Sequence, residues 1–193
     1  MQRSWLAAAF VALCACSVAA SAQGVGALVG YSFGAVPSAS APVLGTLKAR
    51  DGIAIGLGVE GSAPLGFGIN ALYAQRGYTS SVTGYSQQLS YIDVPVYLKL
   101  SIPTPLISPF GFVGPQASFE LDCSAGAGGS CPSGRAKVTY AGVAGIGAKF
   151  GILGGLSLQG RYVYNLTDLD YSTVSNAGSY KNRSFMLLVG FGF

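Results

Sequence analysis

Eight polar or charged residues of this 193-residue chain fall where alternation along extended segments would turn them to one common face: Glu60, Asn70, Arg76, Asp93, Lys99, Lys149, Gln159 and Arg161. Carboxylates facing guanidinium and ammonium groups in a confined space can do one of two things. They can close the space with ion pairs, or they can line a narrow path for ions or solutes, because an isolated buried charge is prohibitively costly. Arg76 and Asp93 are expected to pair at nearly opposed positions of one hairpin, with Arg161 facing them. Lys99 and Lys149 fall with Glu60 at the other end of the same face. The chain contains no histidine. That removes Ser-His hydrolysis, His-ligated metals and imidazole acid–base catalysis.

Of the four cysteines, Cys14 and Cys16 fall in the apolar N-terminal run and the other two lie close together further on. Cys123 and Cys131 bracket the segment CSAGAGGSC, and in an exported chain such a pair most simply forms a disulfide. A metal site would need two further ligands that no neighbouring His or second Cys pair supplies. The AGAGG stretch lacks the lysine and the strand-to-helix setting of a phosphate loop. No cofactor motif is present.

Side chains of this kind need elements that hold them, and composition indicates which. Half the residues are hydrophobic, only 9% are charged, and 29 are glycine; an average soluble domain carries roughly 25% charged residues. The hydrophobicity is stored in alternation. Period-two patterns predict strands at Val25–Phe33, Ile53–Glu60, Leu65–Arg76, Tyr91–Leu100, Pro109–Leu121, Thr139–Phe150, Leu156–Leu166 and Phe185–Phe193. In the fifth, Gly114-Pro115 predicts a bulge and a change of outward face. Eight strands of about ten residues suit a bilayer crossing. Connections after odd strands are long and those after even strands short, the asymmetry of a barrel with outer loops and periplasmic turns. The expected fold is therefore all-β, an eight-stranded antiparallel up-and-down transmembrane β-barrel. A soluble sandwich or barrel would have to expose the small, weakly charged opposite face to water.

Before the first strand, Arg3 and the apolar run Trp5–Ala20 precede Ala20-Ser21-Ala22. This reads as a signal peptide over residues 1–22 cleaved before Gln23, leaving 23–193 as the barrel domain. A membrane anchor, or lipidation at Cys16, is the alternative. Loss of Arg3 lowers the formal charge of +4 by one, too small and dispersed for nucleic acid. Tyr31, Phe33, Tyr73, Phe110, Tyr140, Phe150, Tyr162, Tyr164 and Phe193 are expected in aromatic girdles at the two lipid interfaces. Lys48, Arg50, Arg135, Lys137, Lys181 and Arg183 precede descending strands at the outer rim, where they could meet lipopolysaccharide phosphates. Asp51, Glu120, Asp122, Asp168 and Asp170 share that level, so a mixed, solvated rim remains the alternative.

LYAQRGY at Leu72–Tyr78 with YIDVPVYLKL at Tyr91–Leu100 resembles the paired third and fourth strands of the small outer-membrane β-barrel family often called porin-family or PorT-like. RYVYNLTDL at Arg161–Leu169 resembles its penultimate strand. The alternating end, Phe185, Leu187, Val189, Phe191 and Phe193, resembles the signal read by the outer-membrane assembly machinery, with these side chains expected to face lipid. The resemblance implies an outer-membrane location and brings no shared catalytic residues. Familiar barrel enzymes use a histidine, so the expectation is a non-enzymatic protein with a structural or surface-interaction role, or else a narrow passive channel.

Overall fold

The structure, a computed structural model, describes residues 23–35, 47–61, 64–80, 86–126, 131, 137–151, 155–166 and 183–193. Alternating apolar and small or polar residues give nine extended segments. These are β1 (Gln23–Ala35), β2 (Leu47–Arg50), β3 (Gly52–Gly61), β4 (Leu65–Ser80), β5 (Ser86–Ser101), β6 (Ile107–Ala125), β7 (Val138–Phe150), β8 (Leu156–Asn165) and β9 (Arg183–Phe191). Each long strand pairs antiparallel with its sequence neighbours. β9 returns to β1 with Val29 opposite Val189, which closes the sheet. β2 and β3 form one stave of an eight-stranded barrel, interrupted at Asp51. Arg50 pairs with Gly77 while Ala54 pairs with Ala74, so three residues on one side face two on the other. That extra residue is a bulge, which bends the stave locally.

The two faces are inverted relative to a water-soluble protein. Ile146 is 75% exposed and Val25 68%, and Leu57, Phe67, Val113 and Leu158 also point outward. Arg161, Asp93, Arg76 and Gln159 are buried inside. An apolar wall of that extent is stable only against lipid. Closure leaves no edge of unpaired backbone groups in that medium. The described residues include no helix long and apolar enough to cross a membrane; the crossing is made by strands.

Two expectations for the fifth strand are corrected. Alternation runs through Gly114-Pro115 without a change of face: Phe110, Phe112, Gln116 and Ser118 are buried, and Val113 and Pro115 are exposed. Pairing is interrupted there because Pro115 has no N–H to donate, yet Pro95 opposite Gln116 and Leu98 opposite Val113 keep one register. The shift lies higher, where Tyr91 pairs with Glu120 but Ser90 with Asp122, leaving Leu121 as the extra residue. Phe110 therefore belongs to the interior and leaves the expected girdle, while Tyr31, Phe33, Tyr140 and Tyr162 lie on the outer wall.

The staves differ in height. Among the described residues β8 has 10 and β7 13, whereas β4 and β5 have 16 each and β6 has 19. The short-turn ends are level, with Leu65 opposite Leu100 and Ile107 opposite Phe150. The surplus of β4–β6 consequently stands at the long-loop end.

Candidate functional site

The barrel interior brings the charged residues together in three groups. At the short-turn end, β3 places Glu60 beside β5, where Lys99 Nζ pairs with Glu60 Oε2 and the Tyr97 hydroxyl donates to Glu60 Oε1. Lys99 Nζ also lies 4.3 Å from the centre of the Phe110 ring. Glu60, Lys99 and Phe110 line a mouth of about 160 Å³ together with Ser101, Ser108, Lys149 and Phe193. Lys149 is half-buried there, and no carboxylate lies within ion-pair distance of it among the described residues.

Arg161 spans the middle. Its Nη2 donates to Asn70 Oδ1 across the barrel at 2.6 Å and to Gln159 Oε1 at 3.1 Å. The guanidinium carbon sits 5.1 Å from the Phe112 ring centre and 5.6 Å from that of Tyr97. The two rings lie 4.8 Å apart, so a cation is held against two π faces, an arrangement that favours Arg over Lys. Above it, Arg76 Nη2 is joined to Asp93 Oδ2, and both are buried. The register refines the expected geometry: Asp93 is opposite Leu72 and Arg76 opposite Leu89, so the length of the arginine bridges a diagonal. Arg161 does not join this pair; its hydrogen bonds go to Asn70 and Gln159.

Four of the inward glycines face side chains rather than open space. A methyl group on Gly58 would overlap the Asn70 amide, on Gly68 the Tyr97 ring, on Gly145 the Phe112 ring and on Gly147 the Phe110 ring. Each glycine is a socket for a large side chain from a neighbouring stave. Leu28, Leu72, Val143, Val163, Met186 and Leu188 fill the remaining space as one apolar cluster. The candidates Phe112, Tyr97 and Asn70 were not singled out from sequence as partners of the charges. Unbroken alternation through Pro115 is the signal that places Phe112 inside.

On β9, Phe185, Leu187 and Phe191 are exposed to the lipid side and Val189 is half-buried. Phe193 departs from the expected row. Gly192 has φ 91°, a left-handed conformation open to glycine at no steric cost. It ends the alternation and turns the Phe193 ring inward over Gly26 and Gly190.

At the long-loop end Lys48, Arg50, Lys137 and Arg183 are exposed. Arg183 lies over the Tyr164 ring at 5.2 Å. Asp51 and Asp122 are exposed at the same end. Arg135, Lys181, Asp168 and Asp170 lie outside the described residues, as does the expected signal segment. Cys123 and Cys131 form a disulfide with Cα atoms 6.3 Å apart, and Gln87 Nε2 donates to Cys123 Sγ at 3.2 Å. Among the described residues no three His, Cys, Asp or Glu side chains gather as a metal site.

The sequence model of the family described as "Outer membrane protein beta-barrel domain" matches residues 6–193. No curated protein matches the sequence. Among solved structures, the outer membrane protein OprG of Pseudomonas aeruginosa superposes with a TM-score of 0.55 at 9% identity, over 90% of this chain and 97% of that one. Neisserial surface protein A gives 0.50 at 14% identity, over 89% and 97%. The Yersinia pestis attachment invasion locus protein Ail, solved with the heparin analogue sucrose octasulfate, gives 0.48 at 14% identity, over 89% and 99%. At these identities the first two likenesses speak to the fold alone.

Proposed function

The chain belongs to the outer membrane protein β-barrel domain family, and from that premise we propose that it is a closed, non-enzymatic barrel of the bacterial outer membrane that works through its outer face and loops. The filled lumen carries this reading: Arg161, held between Asn70, Gln159, Tyr97 and Phe112, spans the middle of the barrel, and the inward glycines are occupied by their neighbours' rings. An eight-stranded barrel is just wide enough for side chains to fill. The buried carboxylates Glu60 and Asp93 are both committed to cations, and the chain has no histidine to act as a base.

In this reading residues 1–22 direct export and are removed, and the lipid-facing ladder Phe185, Leu187, Val189 and Phe191 is what the assembly machinery recognises. The exposed cations Lys48, Arg50, Lys137 and Arg183 meet phosphates of lipopolysaccharide. A passive channel is the second reading, favoured by the 160 Å³ mouth at the short-turn end. Planar-bilayer recording of refolded 23–193 separates them: we expect a silent bilayer, and reproducible unitary steps would overturn the closed-barrel reading.

A further inference from the structure

Above the lipid boundary, the outer wall of β4, β5 and β6 changes character within one residue pair. Ala71, Ile92, Val94 and Phe119 belong to the apolar wall, and Tyr73 marks its upper edge. The next outward positions are Gln75 and Thr79 on β4, Ser86, Gln88 and Ser90 on β5, and Asp122 and Ser124 on β6. The register sets them side by side: Gln75 faces Ser90, Gly77 faces Gln88 and Thr79 faces Ser86, while Ser90 faces Asp122 and Gln88 faces Ser124. From Tyr73 to Thr79 the strand rises about 20 Å. This is a sheet face continuous with the lipid-contacting wall below it, on the side where the described staves are tallest.

Its chemistry is unusual for a surface bathed in water. Two amides, four hydroxyls and a single carboxylate make up the array, without one lysine or arginine, whereas soluble surfaces are roughly a quarter to a third charged. The nearest basic residues border the array on the adjoining strand, where Lys48 is opposite Thr79 and Arg50 opposite Gly77; Lys137 lies before β7 and Arg183 on β9. Part of the array is held in place. Gln75 Nε2 donates to the Tyr73 hydroxyl at 3.0 Å, which shares a 3.0 Å hydrogen bond with Ser90 Oγ. Ser124 Oγ donates to Asp122 Oδ2 at 3.4 Å. Amides and hydroxyls offer both donors and acceptors, with Asp122 the one charge among them, and the side chains already held lose little freedom on contact.

We propose that the outward face of β4–β6 above Tyr73 is a contact surface for the neutral core sugars of lipopolysaccharide in the surrounding outer leaflet. The proposal rests on the outer-face reading above and narrows it to one partner chemistry and one side of the barrel. Continuity decides the occupant: the wall that meets acyl chains at Ile92 and Val94 meets, directly above, whatever those same lipids carry on their headgroups. The phosphates fall to the cationic staves, and the sugars to the neutral ones.

Refolded protein in detergent micelles is titrated with two purified lipopolysaccharides, one bearing the core oligosaccharide and one truncated to lipid A with its innermost sugars, and binding is read from the shift in thermal unfolding midpoint. The wild type should bind the core-bearing form about tenfold more tightly, a preference that survives raised salt because no ion pair supports it. Gln75→Ala/Gln88→Ala/Ser90→Ala should lose the preference while binding the truncated form as before. If the triple variant fails to give the folded, heat-modifiable band, Gln88→Ala alone is read in the same titration. Equal binding of the two forms by the wild type, a preference abolished by salt, or a preference retained in the folded variant would overturn the proposal. None of these outcomes bears on conductance, so the closed-barrel reading stands or falls separately.

Discussion

Removing one partner of the Arg76–Asp93 pair should cost far more than removing both. Both side chains are buried and joined directly. In Arg76→Met the Asp93 carboxylate stays in the lumen with no cation touching it, and loss of one partner of a buried pair costs about 3–5 kcal/mol, more than two decades in the folding equilibrium at about 1.4 kcal/mol per decade. Asp93→Leu should be the milder change. The freed guanidinium keeps the Tyr91 ring, 5.4 Å away, and its long stem can carry the charge toward the long-loop end. Arg76→Met/Asp93→Leu places two apolar side chains opposite Leu89 and Leu72, both buried. It also removes the Arg76 Nε, which has no partner among the described residues. The double variant should return to within about 1 kcal/mol of the wild type or exceed it, because desolvation offsets much of what a buried pair contributes. Urea unfolding in micelles, followed by circular dichroism and by the folded and unfolded gel bands, gives all four corners of the cycle. A coupling energy of about 3 kcal/mol is expected. Additive losses, with the double variant as unstable as the two singles combined, would refute the pairing and the account of the lumen built on it.

Gly68→Ala should destabilise by about 1–3 kcal/mol by overpacking against the Tyr97 ring, and adding Tyr97→Leu should recover part of that loss; a neutral single variant in the same unfolding assay would mean the glycine is no socket. Gly192→Ala forces a left-handed residue out of its favoured region at about 1–2 kcal/mol, so the nuclear Overhauser contacts between the Phe193 ring and Gly26 should vanish, and their persistence would count against the turn. The Cys123→Ser/Cys131→Ser variant should still give the heat-modifiable barrel, losing at most about 2.5 kcal/mol for the short closed loop; failure to fold would show the bridge to be needed for the staves. Phe191→Ser should impair assembly in cells more than refolding in detergent, whereas equal impairment in both would reduce Phe191 to a packing residue.

Period-two alternation located every long stave because a residue's face depends only on its own position in the strand. The errors arose where pairing between strands decides. The bulge at Leu121 is defined by Ser90 and Tyr91 on the neighbouring stave, and the interruption at Asp51 by Gly77 and Ala74; neither leaves a mark in its own segment. Gly114-Pro115 carried the local signs of a bulge, yet the same face stays inward through Phe112, Gln116 and Ser118, so Phe110 was assigned to the wrong side. Arg161 was legible as an inward charge, but its partner Asn70 lies 91 residues away, a separation across which the sequence sets no register. Phe193 followed the alternating row on paper; the positive φ of Gly192 that removes it is a property of the backbone.

The lumen and the outer wall answer to different constraints, and their difference says where a function can reside. Inside, Glu60 and Lys99 balance, as do Arg76 and Asp93, and Arg161 is held by amides and rings. Moving any one of them exposes a charge to a low-dielectric space at a cost of several kcal/mol, so the interior is poorly suited to rearrange for a passing solute. The outer wall faces no such penalty. Among the described residues its staves are about the length a bilayer requires at β8, and longer than that at β4–β6. Length beyond the bilayer adds nothing to the crossing itself, while fixing each added strand residue costs about 1–2 kcal/mol of backbone entropy. In β4–β6 that cost is offset in part by the ladder that pairs Gln75 with Ser90 and Thr79 with Ser86 and by the hydrogen bonds joining Gln75, Tyr73 and Ser90, and contacts above the lipid would offset more of it, so the tall staves are where a partner of this barrel should be sought.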